Sequence, residues 1–160
     1  RRWRRQVGAF IGGFEAGDWF WSLGGNSLGE ISTEQAASGK FSLKLTDPGP
    51  NAGSNINSGQ IPVEGGAKYL LRGKVWHVSG SGIGMYVMLR DASGKTLNPS
   101  DAKGNIAPLG TLTGAVGQWV PFSFPFNTTA ATRTVNLWIH SYSGATVTAY
   151  LDDLEIVKAP

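Results

Sequence analysis

The sequence contains no cysteine. Disulfide staples, zinc–thiolate sites and cysteine nucleophiles are therefore excluded. Charge is scarce as well, with Asp, Glu, Lys and Arg making up 16% of the 160 residues. No segment shows a helix-length amphipathic pattern, and no apolar run approaches a membrane span. VGAFIGGF is too short and glycine-rich for the apolar stretch of a signal peptide, and Glu15 follows it at once. P-loop, H-E-x-x-H, G-x-S-x-G and EF-hand motifs are all missing. The basic balance, 14 Lys and Arg against 11 Asp and Glu, is carried by Arg1, Arg2, Arg4 and Arg5. Without those four, 10 basic face 11 acidic side chains, so the body is near neutral and gives no argument for nucleic acid.

What is present points to β structure. Glycine is abundant, at 23 residues, and short alternating runs are punctuated by turn residues. Strands are expected near 9–15, 19–23, 28–35, 40–46, 54–63, 68–78, 83–91, 118–127, 133–142 and 146–157. SGSG at 79–82 and SYSGAT at 141–146 read as hairpin closures. Residues 92–117 are too long for a plain connection, and form either a loop at the rim of a site or a loop with a short extra strand. Pro121 and Pro125 place the strand QWVPFSFPFN at an edge or a bulge, with Phe122, Phe124 and Phe126 inward. Ten strands at this spacing predict an all-β fold of two packed antiparallel sheets. Residues 1–8 read as a basic linker or expression remnant, and 9–158 as one domain.

The face assignments carry the functional reading. In TVNLWIH, residues 134–140, Val135, Leu137 and Ile139 form a core face. Asn136, Trp138 and His140 form the other, a large ring between two hydrogen-bonding side chains. In KYLLRGKVWHV, Tyr69, Leu71, Gly73 and Val75 are inward, while Arg72, Lys74 and Trp76 point out. His77 has core parity and reads as a satisfied buried histidine. In IGMYVMLR, Ile83, Met85, Val87 and Leu89 are inward, with Tyr86 and Arg90 outward. An outward aromatic on three strands suggests one ligand surface.

The order and spacing of several motifs resemble carbohydrate-binding modules of the family 4, 9, 16 and 22 type. These motifs are Ile11-Gly12-Gly13-Phe14-Glu15, the run SGKFSLKL at 38–45, DASGK at 91–95, a strand at Trp119 and the closing YLDDLEIV at 150–157. The resemblance implies a jelly-roll β-sandwich that binds glycan chains on a concave sheet face. By position it implies Trp21 (or Trp19), Arg72, Trp76, Tyr86, Arg90, Asn136, Trp138 and His140 as binding residues. It also implies a structural calcium ion held by the carboxylates of Glu15 and Asp152 and by backbone carbonyls near Gly39 and Lys40. Such hard oxygen donors suit calcium. Asp152 shares the inward parity of Leu154 and Ile156, and an inward carboxylate needs a partner, either the ion, backbone N–H groups or a lysine.

Glycosidases need two carboxylates flanking the scissile bond. None of the eleven acids holds an outward position on the three candidate strands. The expectation is a secreted, monomeric, non-catalytic module serving an attached polysaccharide-degrading enzyme, without nucleic-acid or membrane partners. Its default partner is a neutral β-glucan or xylan. An acidic glycan is the variant suggested by Arg72, Lys74 and Arg90. The alternatives are a small lyase or hydrolase using Tyr86, His140 and Arg90, and a structural or adhesive sandwich.

Overall fold

The computed structural model describes residues 10–160, so the basic segment 1–8 lies outside the described residues. Among the described residues twelve strands form: β1 Phe10–Gly12, β2 Trp21–Ser22, β3 Gly29–Ser32, β4 Ser42–Asp47, β5 Ile56–Ser58, β6 Ile61–Pro62, β7 Lys68–Gly80, β8 Ile83–Arg90, β9 Gly110–Thr111, β10 Trp119–Asn127, β11 Thr134–Ser141 and β12 Val147–Lys158. One sheet runs β10-β7-β12-β4-β3, with β1 also on β12. The other runs β2-β5-β11-β8-β9, with β6 also on β11. The pairings between these strands are antiparallel, as a jelly-roll sandwich requires.

The alternation read from the sequence builds the core. Leu71 and Val75 from β7, Ile83 and Met85 from β8, and Val135, Leu137 and Ile139 from β11 are fully buried against Leu43, Leu45, Leu151, Leu154 and Ile156. Burial of each such side chain contributes about 1.5–3 kcal/mol. β10 is an edge strand, which accommodates Pro121 and Pro125 without loss of a ladder bond between sheet neighbours. The strand expected at 54–63 breaks into β5 and β6. The segment 92–117 supplies the short β9, and two aspartate-led turns shape it. Asp91 accepts from the N–H of Ser93 and Lys95, and Asp101 from that of Lys103 and Asn105.

The two expected hairpins do not form. β7 and β8 lie in different sheets, as do β11 and β12. The SGSG and SYSGAT links are corners that carry the chain across the sandwich. Gly80 permits one of these corners. Its φ is +73°, and a Cβ there would stand 1.9 Å from the carbonyl oxygen of Thr146. Side-chain parity is the same for a hairpin and for a corner, since both bury the odd-numbered residues of β7 up to His77 and those of β8. Only the outward side chains differ, and here they point away from each other on opposite sides of the molecule.

His77 departs from its expected state. It is buried, at 2% exposure, but neither ring nitrogen has a hydrogen-bond partner. Burial pushes its pKa below the ordinary 6.5. The folded protein therefore holds it neutral, while the unfolded chain takes up a proton as pH falls. Its contribution is fully present above about pH 6.5 and is lost on acidification. His77→Leu should flatten the decline of melting temperature between pH 6.5 and 5. An unchanged slope in thermal melts would assign that decline to other groups.

Candidate functional site

The outer face of the second sheet carries a compact aromatic block. Trp138 of β11 sits opposite Tyr86 of β8 and beside His140, two residues along its own strand. The Tyr86 and Trp138 rings lie 4.5 Å apart at 43°, and Trp138 and His140 stack at 4.6 Å and 22°. The indole is thus held between two rings. Its Nε1–H donates to Asn55 Oδ1 at 2.8 Å. His140 Nδ1 lies 2.7 Å from the Ser54 carbonyl. A carbonyl only accepts, so Nδ1 carries the proton and a neutral ring leaves Nε2 as an acceptor. Tyr86 is 7% exposed, and burial raises its phenol pKa above the ordinary value, which keeps the hydroxyl protonated.

Gly84, the next outward position on β8, makes room for a further ring. A Cβ there would meet the Tyr142 hydroxyl at 2.6 Å, so only glycine lets Tyr142 lie across the strand. The Tyr142 hydroxyl is 2.9 Å from Thr111 Oγ1 on β9. The short extra strand of the 92–117 segment therefore borders this face.

Toward the other end the face turns polar. Arg90 Nε donates to Asn136 Oδ1 at 2.9 Å, and its Nη1 donates to Gly94 O and Thr96 Oγ1. Gln60 Nε2 reaches the same Asn136 oxygen, and Asn136 Nδ2 donates to Asn57 Oδ1, both at 3.4 Å. Asn136 is 2% exposed, with both ends of its amide engaged. Its Oδ1 holds Arg90 Nε, and little of the side chain faces solvent.

The expected site therefore divides. Tyr86, Arg90, Asn136, Trp138 and His140 share the outer face of the second sheet. Arg72 and Trp76 belong to β7, on the outer face of the other sheet, where Trp76 pairs with Trp119 and Tyr150. The β7 cations beside Trp76 are paired. Arg72 pairs with Glu155 at 2.8 Å and Lys74 with Asp153 at 3.4 Å, along a groove of about 590 Å³ between β7, β10 and β12. Trp21 is a core residue, tilted at 38° against Phe14 with ring centroids 5.4 Å apart. Its neighbour Trp19 is 78% exposed. The sequence reading passed over Asn55, Asn57, Gln60, Arg133 and Tyr142. The signal for two of them was the alternation of Asn55 and Asn57 around the buried Ile56.

The three segments expected around an ion do converge. Asp152, fully buried, accepts from the backbone N–H of Ala37, Ser38 and Asp153. Both oxygens of Glu15 accept from Lys40 N and Phe41 N, at 2.8 and 2.9 Å. The carboxylates thus flank one loop, 37–41, and are satisfied by its amides. Among the described residues no three His, Cys, Asp or Glu side chains cluster to hold a metal. An ion here would need two carboxylates and backbone carbonyls, donors of the type calcium takes.

The family described as carbohydrate binding domain matches residues 9–146. None of the curated proteins matches the sequence. Among solved structures, the fold is similar to a family 22 xylan-binding domain from Paenibacillus barcinonensis. That match has 20% identity and a TM-score of 0.65, and covers 95% of this chain and 96% of that one. A family 16 carbohydrate-binding module matches with 17% identity and a TM-score of 0.63, over 91% of this chain and 96% of the other. A xylanase fragment from Clostridium thermocellum, a family 22 module with a catalytic module complexed with xylohexaose, matches with 16% identity and a TM-score of 0.69. There 94% of this chain covers only 28% of the larger protein. At these identities the structural likeness is one of fold.

Proposed function

The chain belongs to the carbohydrate-binding domain family, and from that premise we propose that it holds a polysaccharide chain along the outer face of the second sheet. One observation carries the choice of face. The Tyr86–Trp138–His140 block is flanked by hydrogen-bonding groups without a partner among the described residues, whereas the ionic groups of Arg72, Lys74, Asp153 and Glu155 on the opposite face pair with each other. A pyranose ring offers apolar C–H edges and hydroxyls together. Aromatic side chains pack against the first. The Tyr86 hydroxyl, His140 Nε2 and Arg90 Nη2 suit the second.

A β-linked xylan or glucan chain is the substrate class this reading favours, supported by the xylan-binding domain from Paenibacillus barcinonensis. The module is non-catalytic and secreted, and it raises the local concentration of an attached glycan-degrading enzyme at its substrate. The Clostridium thermocellum protein, with a module of this fold joined to a catalytic one, supports that role. A structural calcium ion belongs to the same reading, held by Glu15, Asp152 and carbonyls of the 37–41 loop, away from the glycan face. It supplies positive charge to a buried carboxylate and has no part in sugar contact.

Affinity gels containing soluble xylan or β-glucan test the proposal. Retardation is expected in at least one gel, with no release of reducing ends or unsaturated products. Trp76→Ala, on the opposite face, should migrate like the parent protein. Loss of retardation in that variant would move the site to the other sheet.

A further inference from the structure

The described residues include three arginines outside the N-terminal cluster, Arg72, Arg90 and Arg133. Arg72 is paired with Glu155. Arg90 and Arg133 take part in none of the four ion pairs among the described residues. They are neighbours, since the Arg133 backbone N–H donates to the Arg90 carbonyl at 2.8 Å. Together with Gln60 and Thr134 they line a hollow of about 390 Å³ at the polar end of the aromatic face.

Both guanidiniums are anchored by neutral oxygens only. Arg90 uses Nε and Nη1 for Asn136, Gly94 and Thr96. Arg133 uses Nη1 for the carbonyls of Ala130 and Thr132. Arg90 Nη2 and Arg133 Nε and Nη2 are left without a partner among the described residues. One carboxylate, Asp91, borders the hollow, but its Oδ1 accepts the Ser93 N–H, the Ser93 hydroxyl and the Lys95 N–H, which turns it back into its own loop. Two oriented cations on one concavity concentrate positive potential there. Planar guanidinium donors match a carboxylate better than they match a lone hydroxyl.

We infer that this hollow is a subsite for a sugar carboxylate, so that the bound polysaccharide carries uronic acid residues. The inference rests on the proposed glycan face, because a chain lying over Tyr86 and Trp138 would run into the hollow at its polar end. Arg90 and Arg133 are then specificity determinants.

The test compares glucuronoxylan with the same polymer after chemical reduction of its carboxyl groups, by isothermal titration. The parent protein should bind the acidic polymer about tenfold more tightly, the worth of one added hydrogen bond to a charged group. Arg133→Gln should bring that ratio close to one. Arg72→Gln removes the same charge on the opposite face and should preserve the ratio. Polyglutamate, an anion without sugar, should not bind comparably. Equal affinity of the parent protein for the two polymers would overturn the subsite and leave the glycan face standing. A ratio lost equally in Arg72→Gln, or strong polyglutamate binding, would reduce the preference to general attraction and also overturn it. Failure to bind either polymer would overturn the subsite, and the face falls with it only if the β-glucan gel also shows no retardation.

Discussion

Trp138→Ala is expected to weaken polysaccharide binding about thirtyfold or more. That is the loss usual for a central aromatic anchor, at least about 2 kcal/mol. The indole is the centre of the block, touching Tyr86 on one side and His140 on the other, and its Nε1–H fixes Asn55. Its removal takes away the apolar surface and releases two flanking rings and an amide. The ring is only half-buried, so folding stability should fall by about 1–2 kcal/mol, less than the 3–5 kcal/mol of a core tryptophan. Titration with xylan and a thermal melt separate the two effects. Trp138→Phe should recover part of the affinity, because a ring remains between Tyr86 and His140. Unchanged affinity in Trp138→Ala would refute the assignment of this face.

The fold was legible because apolar alternation reports burial directly. Val135, Leu137 and Ile139 read as core and are core, and the same holds for the odd positions of β7 from Tyr69 to His77 and of β8. The site was only half legible, for a geometric reason. Period two separates inside from outside, but a sandwich has two outsides. Nothing in SGSG distinguishes a turn that keeps the chain in its sheet from a corner that leaves it. Trp76 and Arg72 were therefore grouped with residues on the far side of the molecule. Trp21 failed differently. It lies two positions from the exposed Trp19 in a glycine-rich stretch where β2 is two residues long, too short for parity to decide.

Asp152→Ala should be the most damaging substitution to stability. Asp152 is fully buried, and its carboxylate answers three backbone donors, at 2.8 Å to Ala37, 3.2 Å to Ser38 and 2.8 Å to Asp153. It also sits at a register shift in β12, next to Asp153, whose φ is +52°. Leaving these donors unanswered should cost roughly 3 kcal/mol, or about 10 °C in melting temperature for a domain of this size. The pH dependence identifies what else the carboxylate holds. Burial is the largest influence on it and raises its pKa above 3.8, against the opposing pull of the three N–H groups. A raised folded pKa means that its own contribution is greatest below about pH 3.8 and is lost as pH rises through the folded value. A bound cation prefers the charged form and reverses that trend. Calcium should therefore raise the melting temperature near pH 7, by about 2.7 kcal/mol of added stability at a hundredfold excess over Kd. The gain should fade in acid and be absent in Asp152→Ala. Identical melting curves for the parent protein in calcium and in chelator at pH 7 would end the calcium proposal. The destabilisation of Asp152→Ala would still follow from the backbone bonds alone.

β12 also governs the order in which this protein can be made. It is the last strand of the described residues and the middle strand of its sheet, with β7 on one flank and β4 and β1 on the other. Until residues 147–158 emerge from the ribosome, that sheet exists only as two separated pairs, β10-β7 and β4-β3, each with an open edge where β12 belongs. The opposite sheet can assemble earlier, since all its strands are complete by Ser141. Closure of the sandwich must wait for residues 147–158, and the nascent chain meanwhile displays two unpaired strand edges and half of its core. Whatever shields those edges during synthesis acts before any glycan does.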